Sequence, residues 1–416
     1  MLPPVLEVYV VWHPRDGEGR TIAKEFVEHF HGTAFTGLIG GAVEVFIRSE
    51  GWRSPDDTPR PIPTCKSPLP NGLAQAKFTA IVPIIGTEMA GAVESGSSFW
   101  RNYIEELTCR QRETPDCIGV FPYLMDHGAT DNTDLGKMLD PYHRIAASAP
   151  DAEGETHSTL RCRDLAQGIT QWLTPANDAR VTVFMSHTKR ASPGDEEDTT
   201  VLVTLVREVI NRTHLRAFFD ASDLQPGTDW DAELRSKAST SALLGIRTDL
   251  YPSGEWCQRE ILIAKREGMP VILIDAPGNG EERGSFLMDH VPRIPVHMEP
   301  GRGNKKNVYQ ALNLLVDECL KRALWIHQRE LSKGRPELQI AWWAPHAPEP
   351  LTLVHWFENA RQAETLPPEG SDVRVLHPDP PLGPDERLVL QEVLSLARPG
   401  AKLDIMTPRL LAARGG

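Results

Sequence analysis

Val181-Thr182-Val183-Phe184-Met185 opens a stretch in which short apolar runs alternate with helical patterns, and that alternation decides the fold. A helical spacing from Val201 to Ile210 follows, then Leu215-Arg216-Ala217-Phe218-Phe219 and a helical pattern from Trp230 to Ala238. Next come Ala242-Leu243-Leu244-Gly245-Ile246, a helix from Trp256 to Arg266, and Val271-Ile272-Leu273-Ile274. A strand near Ile294 to His297 and a long helix from Asn307 to Leu324 complete the series. Unbroken aliphatic runs suit strands buried on both faces, and parallel strands need helical crossovers between them. The pattern therefore predicts an α/β, flavodoxin-like, doubly wound parallel sheet, which places ligands beyond the carboxyl ends of its strands.

Turn residues at Leu173-Thr174-Pro175-Ala176-Asn177-Asp178 separate this block from an earlier one. There, Leu6-Glu7-Val8-Tyr9-Val10-Val11-Trp12 reads as a strand, a helical pattern runs through Ile22, Phe26 and Phe30, and Phe78 to Ile85 reads as a buried strand. Trp100, Tyr103, Ile104 and Leu107 recur at helical spacing, and proline-rich Pro55 to Pro70 reads as a surface loop. After Ser332-Lys333-Gly334-Arg335-Pro336 a small third block shows strand-like Leu338–Trp343, Val373–Leu376 and Leu403–Met406, a helix opening at Pro384, and loops heavy in proline, with Pro345, Pro348 and Pro350 expected in one of them. The expected domains are residues 1–175, 178–330 and 336–416. The last is expected to be either a modest regulatory appendage or the front half of a longer domain.

At 416 residues, with 24% charged and 40% hydrophobic residues, the chain has the composition of a folded multidomain protein. A net charge of −13 argues against broad phosphate-backbone binding, so no direct nucleic-acid partner is expected. The Gly301-Arg302-Gly303-Asn304-Lys305-Lys306 cluster reads as the solvated start of a helix. Six scattered cysteines without metal spacing suit a reducing, cytoplasmic compartment and no metal site. No secretory leader and no long apolar run is present, so no membrane partner is expected.

Several side chains fall where the predicted sheet offers chemistry. Ser186-His187 ends one strand and Phe219-Asp220 its neighbour, at the same carboxyl edge. Trp256 and Glu260 are four apart, so one helix face carries both and they can line one exposed cleft. Ser253 is placed to cap that helix, with Glu255 in its first turn. Cys257 reads as a small core residue and His187 as a loop residue bonded to backbone.

The order Phe184-Met185-Ser186-His187, Phe218-Phe219-Asp220, Leu224-Gln225-Pro226-Gly227-Thr228-Asp229-Trp230, Ser239 to Leu244 and Ser253-Gly254-Glu255-Trp256-Cys257-Gln258-Arg259-Glu260 resembles the Toll/interleukin-1 receptor (TIR) family over about 150 residues. The resemblance extends to the prokaryotic TIR NADase effectors of anti-phage immunity. It implies that Glu260 is the catalytic carboxylate that holds the ribose of NAD⁺ beside the nicotinamide–ribose bond. It further implies that Ser186, His187, Phe219, Asp220 and Trp256 line the substrate site, and that Asp223, Leu224, Pro226 and Gly227 form a loop for self-association. NAD⁺ is then a substrate rather than a cofactor, and an NAD⁺ glycohydrolase or cyclase activated by oligomerisation, with an unknown activating ligand or partner, is the expectation. The alternatives are a non-enzymatic TIR scaffold and a nucleotide-sensing module acting by self-association.

The first block looks like a divergent copy of the same architecture, but Ile104 stands four residues after Trp100, with Glu105 and Glu106 out of phase. It is expected to be catalytically silent. The absence of G-x-x-x-x-G-K-[ST], H-E-x-x-H and G-x-S-x-G leaves nucleotide-triphosphatase, zincin and serine-hydrolase chemistry without support.

Overall fold

In the computed structural model, which describes residues 5–32, 35, 43–49, 59–64, 76–95, 98–142, 144–146, 149–174, 181–189, 196–219, 240–281, 283–297, 304–332 and 336–414, the aliphatic runs form parallel sheets. β1 (Leu6–Trp12) lies between β2 (Val43–Ile47) and β3 (Phe78–Ile85), and all eight residues of β3 are buried. Beyond β3, β4 (Ile118–Val120) and β5 (Tyr123–Leu124) both pair with it, one after the other along its length, and β6 (Ile145–Ala146) pairs with β5. The two short strands form one interrupted fourth position. Pro122 stands in the gap and has no N–H to give to the ladder.

The second sheet comprises β7 (Thr182–His187), β8 (Arg216–Phe219), β9 (Ala242–Arg247), β10 (Val271–Asp275) and β11 (Arg293–Pro295), in the order β11-β10-β9-β7-β8. Counted within each unit, both sheets read 2-1-3-4-5, the flavodoxin-like order, so the fold is α/β with a doubly wound parallel sheet occurring twice. A smaller parallel sheet, β12 (Trp342–Trp343), β13 (Val373–Leu376) and β14 (Leu403–Met406), forms the third unit.

The two larger units pack helix on helix. α1 (Gly17–Phe30), four further helices α2 (Thr87–Glu94), α3 (Ser98–Glu113), α4 (Asp134–Leu139) and α5 (His157–Leu173) belong to the first; α6 (Glu196–Asn211), α7 (Glu255–Arg266) and α8 (Lys305–Ser332) to the second. α5, the last helix of the first unit, lies along α8, the last helix of the second, with α1 and α6 at their sides. One apolar cluster runs through this layer, from Phe26 and Leu165 to Leu202 and Leu315. Its rim is polar and paired: His29 Nε2 meets Asp317 Oδ1 at 3.1 Å, and Lys305 Nζ meets Asp151 Oδ2 at 2.7 Å. Lys305 is thus no free solvated lysine; it ties the two units together.

Other expectations are corrected. The last helix does not stop near Leu324 but runs on to Ser332, because Trp325 enters the third unit's core beside Leu338, Leu376 and Met406. Pro350 does not sit in a loop: it opens α9 (Pro350–Gln362), as Pro384 opens α10 (Pro384–Ala397), and a proline costs nothing at a first helical position whose N–H has no intrahelical partner. The expected strand from Leu338 shrinks to Trp342–Trp343 behind a short 3₁₀ turn at Pro336–Leu338. A last short helix, α11 (Pro408–Ala413), follows β14. The expected helix from Trp230 to Ala238 lies outside the described residues. Of the expected loop from Pro55 to Pro70, the described part, 59–64, has no regular structure and buries Ile62. Among the described residues no helix is long and apolar enough to cross a membrane.

Candidate functional site

The carboxyl edge of the second sheet is built where β7 and β9 lie side by side, with Ser186 in register with Gly245 and His187 with Ile246. The chain leaves β9 through Thr248-Asp249-Leu250-Tyr251-Pro252-Ser253-Gly254 and returns as α7. Gly254, not Ser253, is the N-cap residue, and the Ser253 hydroxyl instead donates to the Leu250 carbonyl at 3.0 Å. Gln258 fastens the turn from the other side, donating to the Pro252 carbonyl at 2.6 Å. Glu255 occupies the first turn, where the helix dipole favours negative charge.

This turn folds Tyr251 back beneath the sheet edge, where it is completely buried. Its hydroxyl lies 2.7 Å from Ser186 Oγ, and Ser186 Oγ in turn donates to Glu260 Oε2. A serine hydroxyl has one proton, so with that proton directed at the carboxylate, Ser186 must accept from Tyr251. The chain of donation runs Tyr251 to Ser186 to Glu260. Burial, with the Glu260 carboxylate nearby, holds the Tyr251 phenol well above its ordinary range, which keeps it a donor. Gly245 makes the arrangement possible: a Cβ there would stand 2.9 Å from the Tyr251 oxygen and 2.5 Å from Leu273 Cδ2.

Glu260 is only 9% exposed, so it does not stand in an open cleft as its spacing predicts. It lies on the buried face of α7 with Cys257, Ile261 and Ala264. Trp256, one turn earlier, is 44% exposed, and the Arg259 guanidinium lies over its ring at 4.7 Å from the centroid. The pair shares a helix side, but the carboxylate faces inward and the indole sits at the rim. Cys257 is buried in the core.

His187 is half-buried at the end of β7, with Nδ1 3.2 Å from the Thr188 carbonyl oxygen. Phe219 ends β8 in register with Met185, on the side of β7 opposite β9, so its backbone belongs to the same edge but to another strand pair. Asp220, Asp223, Leu224, Pro226 and Gly227 lie outside the described residues. The rest of the edge is stiffened by charge: Asp249 accepts from the backbone N–H groups of Gly278 and Asn279, each at 2.9 Å, and Arg247 pairs with Asp275 at 3.2 Å. Tyr251 escaped the sequence reading. A lone tyrosine in a turn rich in proline and glycine carries no periodic signal.

No protein-family model matches the chain, and no curated protein matches it. Among solved structures it is similar to the TIR domains in the structure of the activated Roq1 resistosome directly recognizing the pathogen effector XopQ, at 14% identity and a TM-score of 0.19, over 52% of this chain and 99% of that one. The strand order, rather than that likeness, assigns the fold.

Proposed function

We propose that the second unit is a TIR-type domain that cleaves NAD⁺ at its nicotinamide–ribose bond, with Glu260 as the essential carboxylate. The observation that carries this reading is the buried Tyr251–Ser186–Glu260 chain at the carboxyl edge of the two central strands, where such sheets take ligands. A carboxylate held by a neutral hydroxyl relay stays available to accept from the ribose hydroxyls of a substrate, which take over the place of the Ser186 proton. As the C1′–N bond breaks, its electron pair goes to the pyridinium nitrogen and neutral nicotinamide leaves. The ribosyl carbon that remains carries oxocarbenium-like positive charge, which the adjacent anion stabilises, as in glycoside hydrolysis. Water then adds at C1′ and loses its proton, or an adenine nitrogen adds to close a ring. Trp256 at the rim offers an aromatic face toward the nicotinamide side. Self-association through Asp223, Leu224, Pro226 and Gly227, as the family resemblance implies, belongs to the same reading, as does a role in anti-phage defence.

A second reading is favoured by one observation. Glu260 is buried and already satisfied by Ser186, which equally fits a structural carboxylate in a TIR-like scaffold. Nicotinamide release from NAD⁺, followed across protein concentration, separates the two. Glu260→Gln keeps the volume and removes the charge; it is expected to lower turnover by at least about a hundredfold, the scale on which a positioned electrostatic group acts. Changing Glu105 and Glu106 on exposed positions of α3 to Gln is expected to leave the rate unchanged. Turnover in Glu260→Gln equal to wild type leaves the scaffold reading standing.

A further inference from the structure

A second place in the molecule has the makings of a binding site, and it belongs to the third unit. The strands β12, β13 and β14 are parallel, and their carboxyl ends run into the stretches around Pro345-His346, Pro378-Asp379 and Thr407. Outside those ends lies a cavity of about 330 Å³, closed on its far side by the last turn of α7 and by α8. This volume falls in the range of small-molecule pockets.

The charges on the wall do not cancel. Lys265 Nζ is committed to Glu349 at 2.8 Å and to the Asp289 carbonyl at 2.6 Å, and Glu318 is committed to Lys321 at 2.5 Å. Burial raises the Asp379 carboxyl above its ordinary range, while Thr407 and Arg409 favour its charge. Arg322 remains, and Arg266 is also on the wall: the Arg322 Nε donates to the Gly268 carbonyl at 2.8 Å, and among the described residues no carboxylate lies within ion-pair distance of its guanidinium, although the Glu267 charge acts on it from farther away. Burial lowers the Arg322 pKa, so the charge is held where water solvates it poorly. Nearby, Trp342 and Trp356 line the same cavity and stack on each other at 5.4 Å and 12°, a flat half-buried pair that another ring can extend.

We propose that this cavity binds a small organic anion bearing a flat heterocycle, of the class of a nucleoside monophosphate, with the Arg322 guanidinium on the anionic group and the Trp342–Trp356 pair beside the ring. A guanidinium is suited to this because its fork matches the oxygens of a phosphate in two bonds at once. The site is independent of what Glu260 does.

The test is calorimetric titration of the full chain with adenosine monophosphate, adenosine and inorganic phosphate in parallel. Adenosine monophosphate is expected to bind saturably and at least about tenfold more tightly than either fragment, since each fragment forfeits one of the two interactions. Arg322→Gln, with an unchanged circular dichroism spectrum, is expected to weaken it at least about tenfold, and Arg322→Lys to restore part of the loss. No binding, equal binding by Arg322→Gln, or binding no better than that of inorganic phosphate overturns the proposal. If Arg322→Gln fails to fold, Trp356→Leu takes its place, and undiminished nucleotide affinity there overturns it equally.

Discussion

The first two units share a strand order yet treat a helix between their third and fourth strands in opposite ways. In the second unit, α7 carries Trp256 at the rim and Glu260 on its buried face, joined to Ser186 and through it to Tyr251. In the first, α3 buries both Trp100 and Ile104, within an apolar cluster that includes Met89, Tyr103, Leu107 and Leu124, and the Trp100 ring lies 5.2 Å from that of His13, just past the end of β1. A carboxylate can be buried only where donors are already arranged for it, so the difference is not one residue but a supporting set. The second unit supplies that set with a serine at a strand end, a glycine that makes room, and a turn that folds a tyrosine back. In the first, Phe78-Thr79-Ala80-Ile81-Val82-Pro83-Ile84-Ile85 fills the third strand without a glycine.

Exchanging the decisive residue tests this most severely. Ile104→Glu places a carboxylate in the apolar cluster of the first unit, and an uncompensated buried charge costs about 3–5 kcal/mol. The urea midpoint of the full chain is expected to fall accordingly at neutral pH and to recover partly in acid, where the carboxyl is neutral. A variant as stable as wild type would mean that the first unit holds concealed donors, and the contrast between the units would fail.

Gly245→Ala probes the supporting set directly. The new methyl group would press on the Tyr251 oxygen and on Leu273 Cδ2, and overpacking of this kind costs about 1–3 kcal/mol. Leu273 and Tyr251 are both fully buried, so neither can swing aside into solvent and the pressure falls on the Tyr251–Ser186 bond as well as on the core. If Tyr251 and Ser186 serve only the core, the variant loses stability alone. If they hold Glu260 for substrate, nicotinamide release falls further than the unfolded fraction explains, which activity and denaturation measured on the same preparation reveal.

Much of this contrast was legible in the amino-acid sequence. The strands of the second sheet announce themselves as aliphatic runs, and the four-residue spacings Trp256/Glu260 and Trp100/Ile104 place each pair on a helix side without any structure. Which way that side faces was not legible, because the spacing of two residues says nothing about what packs over them; Glu260 proves to face inward toward a hydroxyl 74 residues earlier in the chain. The interrupted fourth position of the first sheet and the edge strand β2 also escaped, since strands of two or three residues, and one only partly buried, leave no sustained period. Pro350 misled for a different reason: the same residue that breaks a helix inside it is well placed at its start.

The smallest expected effect concerns how firmly the two unlike units are joined. His327, on α8 of the second unit, has Nε2 2.7 Å from the Leu173 carbonyl of the first and Nδ1 3.1 Å from Lys77 Nζ. A carbonyl can only accept and an ammonium can only donate, so the ring is neutral with its proton on Nε2. Protonation would set a new N–H on Nδ1 against the ammonium. Burial, with the Lys77 charge adding to it, lowers the His327 pKa below its ordinary value of 6.5. In the unfolded chain the imidazole takes up a proton as the pH falls through that ordinary value, while the folded state does not follow until a lower pH. The unfolded state then binds more protons, so this contribution to stability is present above pH 6.5 and is lost as the pH falls from there toward the folded pKa. His327→Gln, whose amide can still donate to Leu173, removes the titration, so the difference in urea midpoint between the variant and wild type is expected to shift in the variant's favour between pH 7.5 and 5. A difference that stays constant over that interval would show that the imidazole gains and loses its proton as freely in the folded protein as in the unfolded one, and the seam between the units would owe nothing to a desolvated histidine.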